Sequence, residues 1–77
     1  MTSSNLITMA NRIGEFFEAM PDRDEALEGV AQHIQKFWEP RMRRQLRAGL
    51  LNDATRQQLK PIVCEALERH PDTTQTL

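Results

Sequence analysis

The chain has 77 residues, one cysteine and a formal net charge of −1. A domain this short buries only about 60% of the surface that its unfolded chain exposes, which leaves little material for a deep substrate cleft. The length therefore disfavours a stand-alone enzyme. The lone cysteine excludes an intramolecular disulfide and a cysteine-rich metal site, and the near-zero charge disfavours nucleic acid as a partner.

Nothing in the sequence indicates targeting to a membrane. Residues 1–12, MTSSNLITMANR, have neither a basic start nor an apolar run of the length that a signal peptide needs. No other segment approaches the roughly 20 apolar residues of a membrane span. Together with the single cysteine, this predicts a cytoplasmic protein without membrane association.

The first third of the chain has the apolar spacing of an α-helix, with apolar residues recurring at positions i, i+3, i+4 and i+7. Residues 1–4 are predicted to be disordered, Ser4 or Asn5 to be the N-cap, and Pro21 to end the helix. The predicted inward face consists of Leu6, Met9, Ala10, Ile13, Phe16, Phe17 and Met20.

A second helix is predicted to begin at Asp22 and to end near Glu39, before Pro40. Asp22 can accept a hydrogen bond from the amide three residues later while Glu25 reaches back, which is the capping-box arrangement. The predicted inward face consists of Leu27, Val30, Ala31, Ile34, Phe37 and Trp38.

The two helices resemble each other at an offset of 21 residues, LITMANRIGEFF against LEGVAQHIQKFW. Three heptads would suit one long coiled-coil helix, but Pro21 and Arg23 interrupt the apolar seam. An antiparallel helical hairpin satisfies both the pattern and the interruption. Gene duplication and a shared packing requirement would each produce the similarity.

One or two further short helices follow the hairpin. Pro40 is a natural first-turn residue, and Met42, Leu46 and Leu50 recur with helical spacing. This third helix ends at Gly49 or Asn52.

The stretch NDATRQQL offers Asp53 as the cap of a short turn or helix. Pro61 begins the last helix, and whether the chain is continuous through Lys60 stays open. Ile62, Val63, Ala66 and Leu67 are its predicted inward face. The sequence thus predicts an all-α small bundle, with one domain over residues 5–69 and a flexible tail over residues 70–77.

Residues that could carry chemistry are scarce. The three glycines are isolated within helical patterns rather than gathered in a phosphate-binding loop, and His33 and His70 lie 37 positions apart. Cys64 is interpreted as a small buried hydrophobe. We therefore predict no catalytic, cofactor-binding or metal-binding residues.

Basic residues concentrate between Lys36 and Lys60, where seven face only two acidic ones. Arginine dominates, and its planar guanidinium suits bidentate binding of carboxylates as well as phosphates. Tryptophan, methionine and arginine are also enriched in interface cores, although a bundle core would use the same apolar residues. A small nucleic-acid-binding regulator using the strip Arg41–Arg47 is the alternative to a protein-docking role, and self-association into a homo-oligomer is a third.

Three segments resemble a known family: NLITMANRIGEFFEAMP, FWEPRMRRQL and PIVCEAL. They are similar to the delta subunit of the NAD-dependent, molybdenum-containing formate dehydrogenases, and the likeness spans about Asn5 to Leu67. Its most specific parts are Met9–Gly14, the aromatic pair before Met20-Pro21, and the block Phe37–Arg44. The chain departs from the family pattern at Lys60 and Cys64.

The resemblance implies a non-catalytic accessory subunit without cofactors of its own. Its implied partners are the large molybdenum and iron–sulfur subunit and the subunits of the NADH module, and its implied role is to support assembly, stability or cofactor retention. We expect the contact surface to consist of Trp38, Pro40, Arg41, Met42, Arg43, Arg44 and Arg47.

Overall fold

The computed structural model of the chain describes residues 3–74. Within them the backbone is helical and contains no strand, which confirms the predicted all-α fold. The elements are α1 (Ser3–Glu18), α2 (Arg23–Phe37), α3 (Pro40–Leu50), α4 (Asp53–Gln58), α5 (Pro61–Arg69) and a 3-10 helix (Pro71–Thr73).

Two asparagine or aspartate side chains cap helices in the manner expected from their short polar side chains. Asp22 Oδ1 accepts a hydrogen bond of 3.1 Å from the Glu25 amide, as predicted. The cap of α4 is Asn52, whose Oδ1 accepts from the Thr55 amide at 3.2 Å, so the predicted cap at Asp53 is wrong. Both caps act within four residues of sequence.

The predicted start of the first helix is also wrong. Because α1 already includes Ser3, both Ser4 and Asn5 lie inside the helix and neither is its N-cap. Of the predicted disordered segment, residues 3 and 4 are helical, whereas residues 1 and 2 lie outside the described part of the chain.

Prolines decide two of the helix boundaries. Pro40 and Pro61 each begin a helix, and the residues before them, Glu39 and Lys60, have extended backbones with ψ of 152° and 146°. The chain is therefore broken, not continuous, at Lys60. Trp38 is extended as well, so α2 ends at Phe37, slightly before the predicted Glu39.

α1 and α2 form the predicted antiparallel hairpin, and α5 packs against both. α3 packs against α1, and α4 packs against α3. The predicted inward face of α5 is buried throughout, and on α3 Leu46 is buried while Met42 and Leu50 are partly buried against the core. The core comprises Leu6, Ile7, Ala10, Ala26, Leu27, Val30, Ile34, Trp38, Leu46, Leu59, Ile62, Val63, Cys64, Ala66 and Leu67.

The buried face of α1 differs from the predicted one. Ile7 is buried, whereas Met9 and Phe16 are exposed. At 100° per residue, Ile7 lies about 60° from Ala10 in one direction and Phe16 about 120° from it in the other. The buried face of α1 is therefore rotated from the predicted face towards Ile7 and away from Phe16, because α3 and α5 also pack against α1.

Close packing of α1 against its neighbours depends on glycine. A Cβ atom added at Gly14 would fall 2.8 Å from Val63 Cγ2, and one added at Gly29 would fall 2.5 Å from the Phe17 ring. Gly14 thus lets α5 approach α1, and Gly29 makes room for an aromatic ring between α1 and α2. These contacts explain two of the glycines that interrupt the helical patterns.

Residues 70–74, the described part of the predicted tail, pack against the bundle. Thr73 and Thr74 are both buried, and the 3-10 helix lies against α2 and α5. Residues 75–77 lie outside the described part. Across residues 3–74, no helix has the length and apolar character needed to cross a membrane.

Candidate functional site

The predicted contact surface centres on α3, which begins where the backbone turns away from α2. Pro40 occupies the first helical turn, and Glu39 precedes it in an extended conformation without a side-chain cap. Because the backbone is extended at Trp38 and Glu39, the helical repeat is interrupted between α2 and α3. Lys36 on α2 is therefore not in the same helical row as the arginines of α3. The basic strip is therefore not one straight row along two collinear helices.

The arginines of α3 divide into two pairs. Arg41 and Arg44 are exposed, whereas Arg43 and Arg47 are half-buried. This division follows from the 3.6-residue period, because Leu46 is buried and Arg41 and Arg44 lie on the opposite side of the helix. The outward pair is three residues apart, which makes Arg41 and Arg44 neighbouring positions on the surface of the helix.

Arg43 is bound to its own chain. Its Nη1 donates a hydrogen bond of 3.3 Å to the carbonyl oxygen of Thr73, and Thr73 Oγ1 in turn donates to the carbonyl oxygen of Ala31 at 3.5 Å. Arg43 Nε is buried and has no hydrogen-bond acceptor among the described residues. These contacts place Arg43 between α3 and the 3-10 helix, as part of the internal packing.

Two further predicted contact residues face the interior. The Trp38 side chain is only 6% exposed and belongs to the core, and Met42 is half-buried against that core. Burial of Trp38 agrees with its predicted place on the inward face of α2, and its place in a contact surface stays a prediction. Of the seven predicted residues, Pro40, Arg41 and Arg44 are the exposed ones, and a contact of this surface with a partner stays a prediction.

Ion pairs within residues 3–74 join other parts of the molecule. Arg23 pairs with Glu65 at 2.7 Å, and Arg69 pairs with Asp24 at 2.5 Å. Arg56 on α4 pairs with Glu68 on α5 at 2.9 Å. None of these pairs involves Arg41 or Arg47. Exposed ion pairs contribute little to stability, at most about 1 kcal/mol each.

A second exposed feature was missed by the sequence interpretation, which assigned Phe16 and Phe37 to the core. Their side chains are 74% and 72% exposed. The Phe16 and Phe17 rings are 5.0 Å apart, Phe17 and His33 are 6.4 Å apart, and His33 and Phe37 are 4.8 Å apart. These four rings form a continuous surface, here called the aromatic face.

The aromatic face borders a groove of about 300 Å³ between α1 and α2. Arg12, Ile13, Phe16, Phe17 and His33 line it. One signal in the sequence was available: Phe16 and Phe37 are equivalent in the 21-residue similarity and each lies at one edge of the apolar arc of its helix. A residue at the edge of the arc is the first to be left uncovered when the neighbouring helices pack towards the other edge.

Groups with intrinsic reactivity are not assembled into a site in the described part of the chain. Cys64 is buried, and burial raises the pKa of its thiol, an effect that the nearby Arg56 guanidinium opposes. A neutral buried thiol is a poor nucleophile. Among residues 3–74, no cluster of three or more histidine, cysteine, aspartate or glutamate side chains is placed to hold a metal ion.

Comparison with known proteins gives one result. The family model of the NADH-dependent formate dehydrogenase delta subunit, FdsD, matches residues 5–67. No curated protein and no solved structure matches the chain. The matched range includes α2 to α4 and nearly all of α1 and α5. The chain therefore belongs to the NADH-dependent formate dehydrogenase delta subunit family.

Proposed function

We propose that this protein is a non-catalytic accessory subunit of an NAD-dependent formate dehydrogenase complex. The match to the delta-subunit family over residues 5–67 carries the proposal. In this role the protein supports assembly, stability or cofactor retention of the large molybdenum subunit through protein contacts. A further contact with the subunits of the NADH module is compatible with the same role.

The chemistry of α3 supports a protein partner. Arg41 and Arg44 are exposed on the outer side of α3, and arginine guanidinium groups bind carboxylates with two parallel hydrogen bonds. Pro40 restricts the backbone at the helix start beside them, so little backbone conformational entropy is lost on docking. Trp38 belongs to the core and Met42 is half-buried against it, while Arg43 and Arg47 are half-buried on the same helix as the outward pair.

The role is tested by producing the complex with and without this subunit. We expect the preparation without it to show less assembled complex, less bound molybdenum and lower formate-dependent reduction of NAD. Restoration by adding the purified subunit would distinguish a permanent structural part from a factor used only during maturation. Equal assembly, metal content and activity in both preparations would contradict the proposal.

The surface is tested by charge reversal. Arg41→Glu combined with Arg44→Glu should weaken association with the complex at least about tenfold, because loss of hot-spot arginines typically costs more than 1.4 kcal/mol. The matched control replaces both residues by lysine, which keeps the charge but removes the planar fork. Unchanged binding of the glutamate variant to the complex would rule out this surface as the docking site. Binding of the wild-type protein to random duplex DNA with a steep salt dependence would favour the nucleic-acid alternative.

A further inference from the structure

The aromatic face exposes two large apolar side chains to water, which is energetically unfavourable. Phe16 and Phe37 are about three-quarters exposed in a domain whose small size already limits its stability. Two neighbouring exposed aromatic side chains, joined through Phe17 and His33, make a continuous apolar patch instead of scattered surface residues. Continuous apolar patches of this kind mark interaction sites in soluble proteins.

The size of the patch argues against a second copy of this chain as its cover. An aromatic side chain has about 150–250 Å² of surface, so the exposed parts of Phe16 and Phe37 together offer roughly 300 Å². Two copies meeting through this patch would bury about 600 Å², below the 1,200–2,000 Å² of specific protein interfaces. The two rings are therefore too small to hold two copies together by themselves, so the charges around the groove decide which surface covers them.

The charges around the groove indicate the chemistry of that surface. Arg12 lines the groove, is exposed, and has no ion pair among residues 3–74. Lys36 is exposed and stands three residues after His33, on the same side of α2. An occupant that fits both the rings and the charges carries an apolar side chain close to a carboxylate.

We propose that the aromatic face is a docking surface for another subunit of the formate dehydrogenase complex, which inserts an apolar side chain into the groove and places a carboxylate beside Arg12. This inference rests on the proposed function for the identity of the complex. It adds a second contact, on α1 and α2, to the one predicted on α3. The hydrophobic contact supplies affinity, and the carboxylate supplies orientation.

The test measures binding to purified formate dehydrogenase complex that lacks this subunit. Phe16→Gln and Phe37→Gln should each weaken binding at least tenfold, and Arg12→Glu should weaken it further than Arg12→Gln. The matched control is Ala54→Gln, since Ala54 is exposed on α4, outside both the aromatic face and the docking surface of α3. Its binding should stay within about twofold of wild type.

The outcomes separate the two proposals. If the wild-type protein does not bind the complex, both the proposed function and the proposed occupant of the groove are contradicted. Wild-type protein that binds, with unchanged binding of both glutamine variants, overturns the aromatic face alone. Sedimentation of the isolated chain gives a further check, because a dimer abolished by Phe16→Gln, together with unchanged binding to the complex, would assign the face to a second copy and overturn the inference.

Discussion

The side chain of Asn11 and the backbone of Lys60 are joined by a hydrogen bond of 2.8 Å, from the Lys60 amide to Asn11 Oδ1. The Asn11 Nδ2 atom donates a second hydrogen bond of 2.9 Å to the carbonyl oxygen of Gln58. Gln58 ends α4 and Lys60 precedes α5, so one amide from α1 satisfies backbone groups on both sides of the break between these helices.

Asn11→Ala should lower the free energy of unfolding by about 1–3 kcal/mol, because the half-buried Lys60 amide would lose its acceptor. Asn11→Asp keeps that acceptor but places a carboxylate oxygen against the Gln58 carbonyl oxygen, so it should lower the free energy of unfolding as well. Denaturant unfolding measures both effects. The control is Asn5→Ala, because Asn5 is exposed on the same helix, and it should change the free energy of unfolding by less than about 0.5 kcal/mol. An equal effect at both positions would contradict the role of Asn11.

Gly14→Ala should destabilise the fold although alanine favours helices. The added Cβ would lie 2.8 Å from Val63 Cγ2, and overpacking of a core costs about 1–3 kcal/mol, more than the gain in helix propensity of about 0.5–1 kcal/mol. A double-mutant cycle with Val63→Ala tests the cause. The cost of Gly14→Ala should shrink when Val63 is truncated, and an unchanged cost would place the conflict elsewhere.

Trp38→Ala should affect folding first, because its side chain is 6% exposed and lies in the core. Truncation of a buried tryptophan costs about 3–5 kcal/mol, which lowers Tm by more than about 12 °C in a domain of this size. Phe37→Ala removes the neighbouring, exposed ring and should leave Tm within a few degrees of wild type while weakening binding to the complex. Thermal unfolding beside a binding assay compares the two variants.

Arg43→Glu should destabilise the chain end, whereas Arg41→Glu should not. Arg43 Nη1 donates to the Thr73 carbonyl oxygen, and a glutamate there would place a second acceptor against that oxygen. Faster hydrogen exchange at the Thr73 and Thr74 amides would report the loosening of the 3-10 helix. Equal exchange in both variants would show that the Arg43 contact does not hold this segment, and Arg43 would return to the candidate docking residues.

The buried thiol of Cys64 should make the free energy of unfolding depend on pH in the alkaline range. Burial raises the pKa of its thiol above the ordinary value of 9.0, so the folded chain holds this proton more tightly than the unfolded chain. The resulting stabilisation is fully present below about pH 9 and is lost as the pH rises through the folded-state pKa. Unfolding free energies of wild type and Cys64→Ala should therefore fall with different slopes above about pH 9, and parallel curves would contradict this.

Local chemistry accounts for what was predicted correctly. The cap at Asp22 and the starts at Pro40 and Pro61 depend on atoms within about four residues of each other, so the sequence contains all of the information. The cap at Asn52 shows the limit of this reasoning, because Asn52 and Asp53 have nearly the same capping preference.

The sequence by itself determined that this chain is a small all-α protein, which segments form helices, and the family to which it is similar. Only the tertiary structure decided which side chains are exposed. Helical period assigns a residue to a side of its helix, but the position and length of the neighbouring helices decide whether that side is covered. Phe16 and Phe37 therefore share the apolar stripes of Ala10 and Ile34 yet face solvent, and Arg43 shares a basic strip with Arg41 yet binds the chain's own backbone.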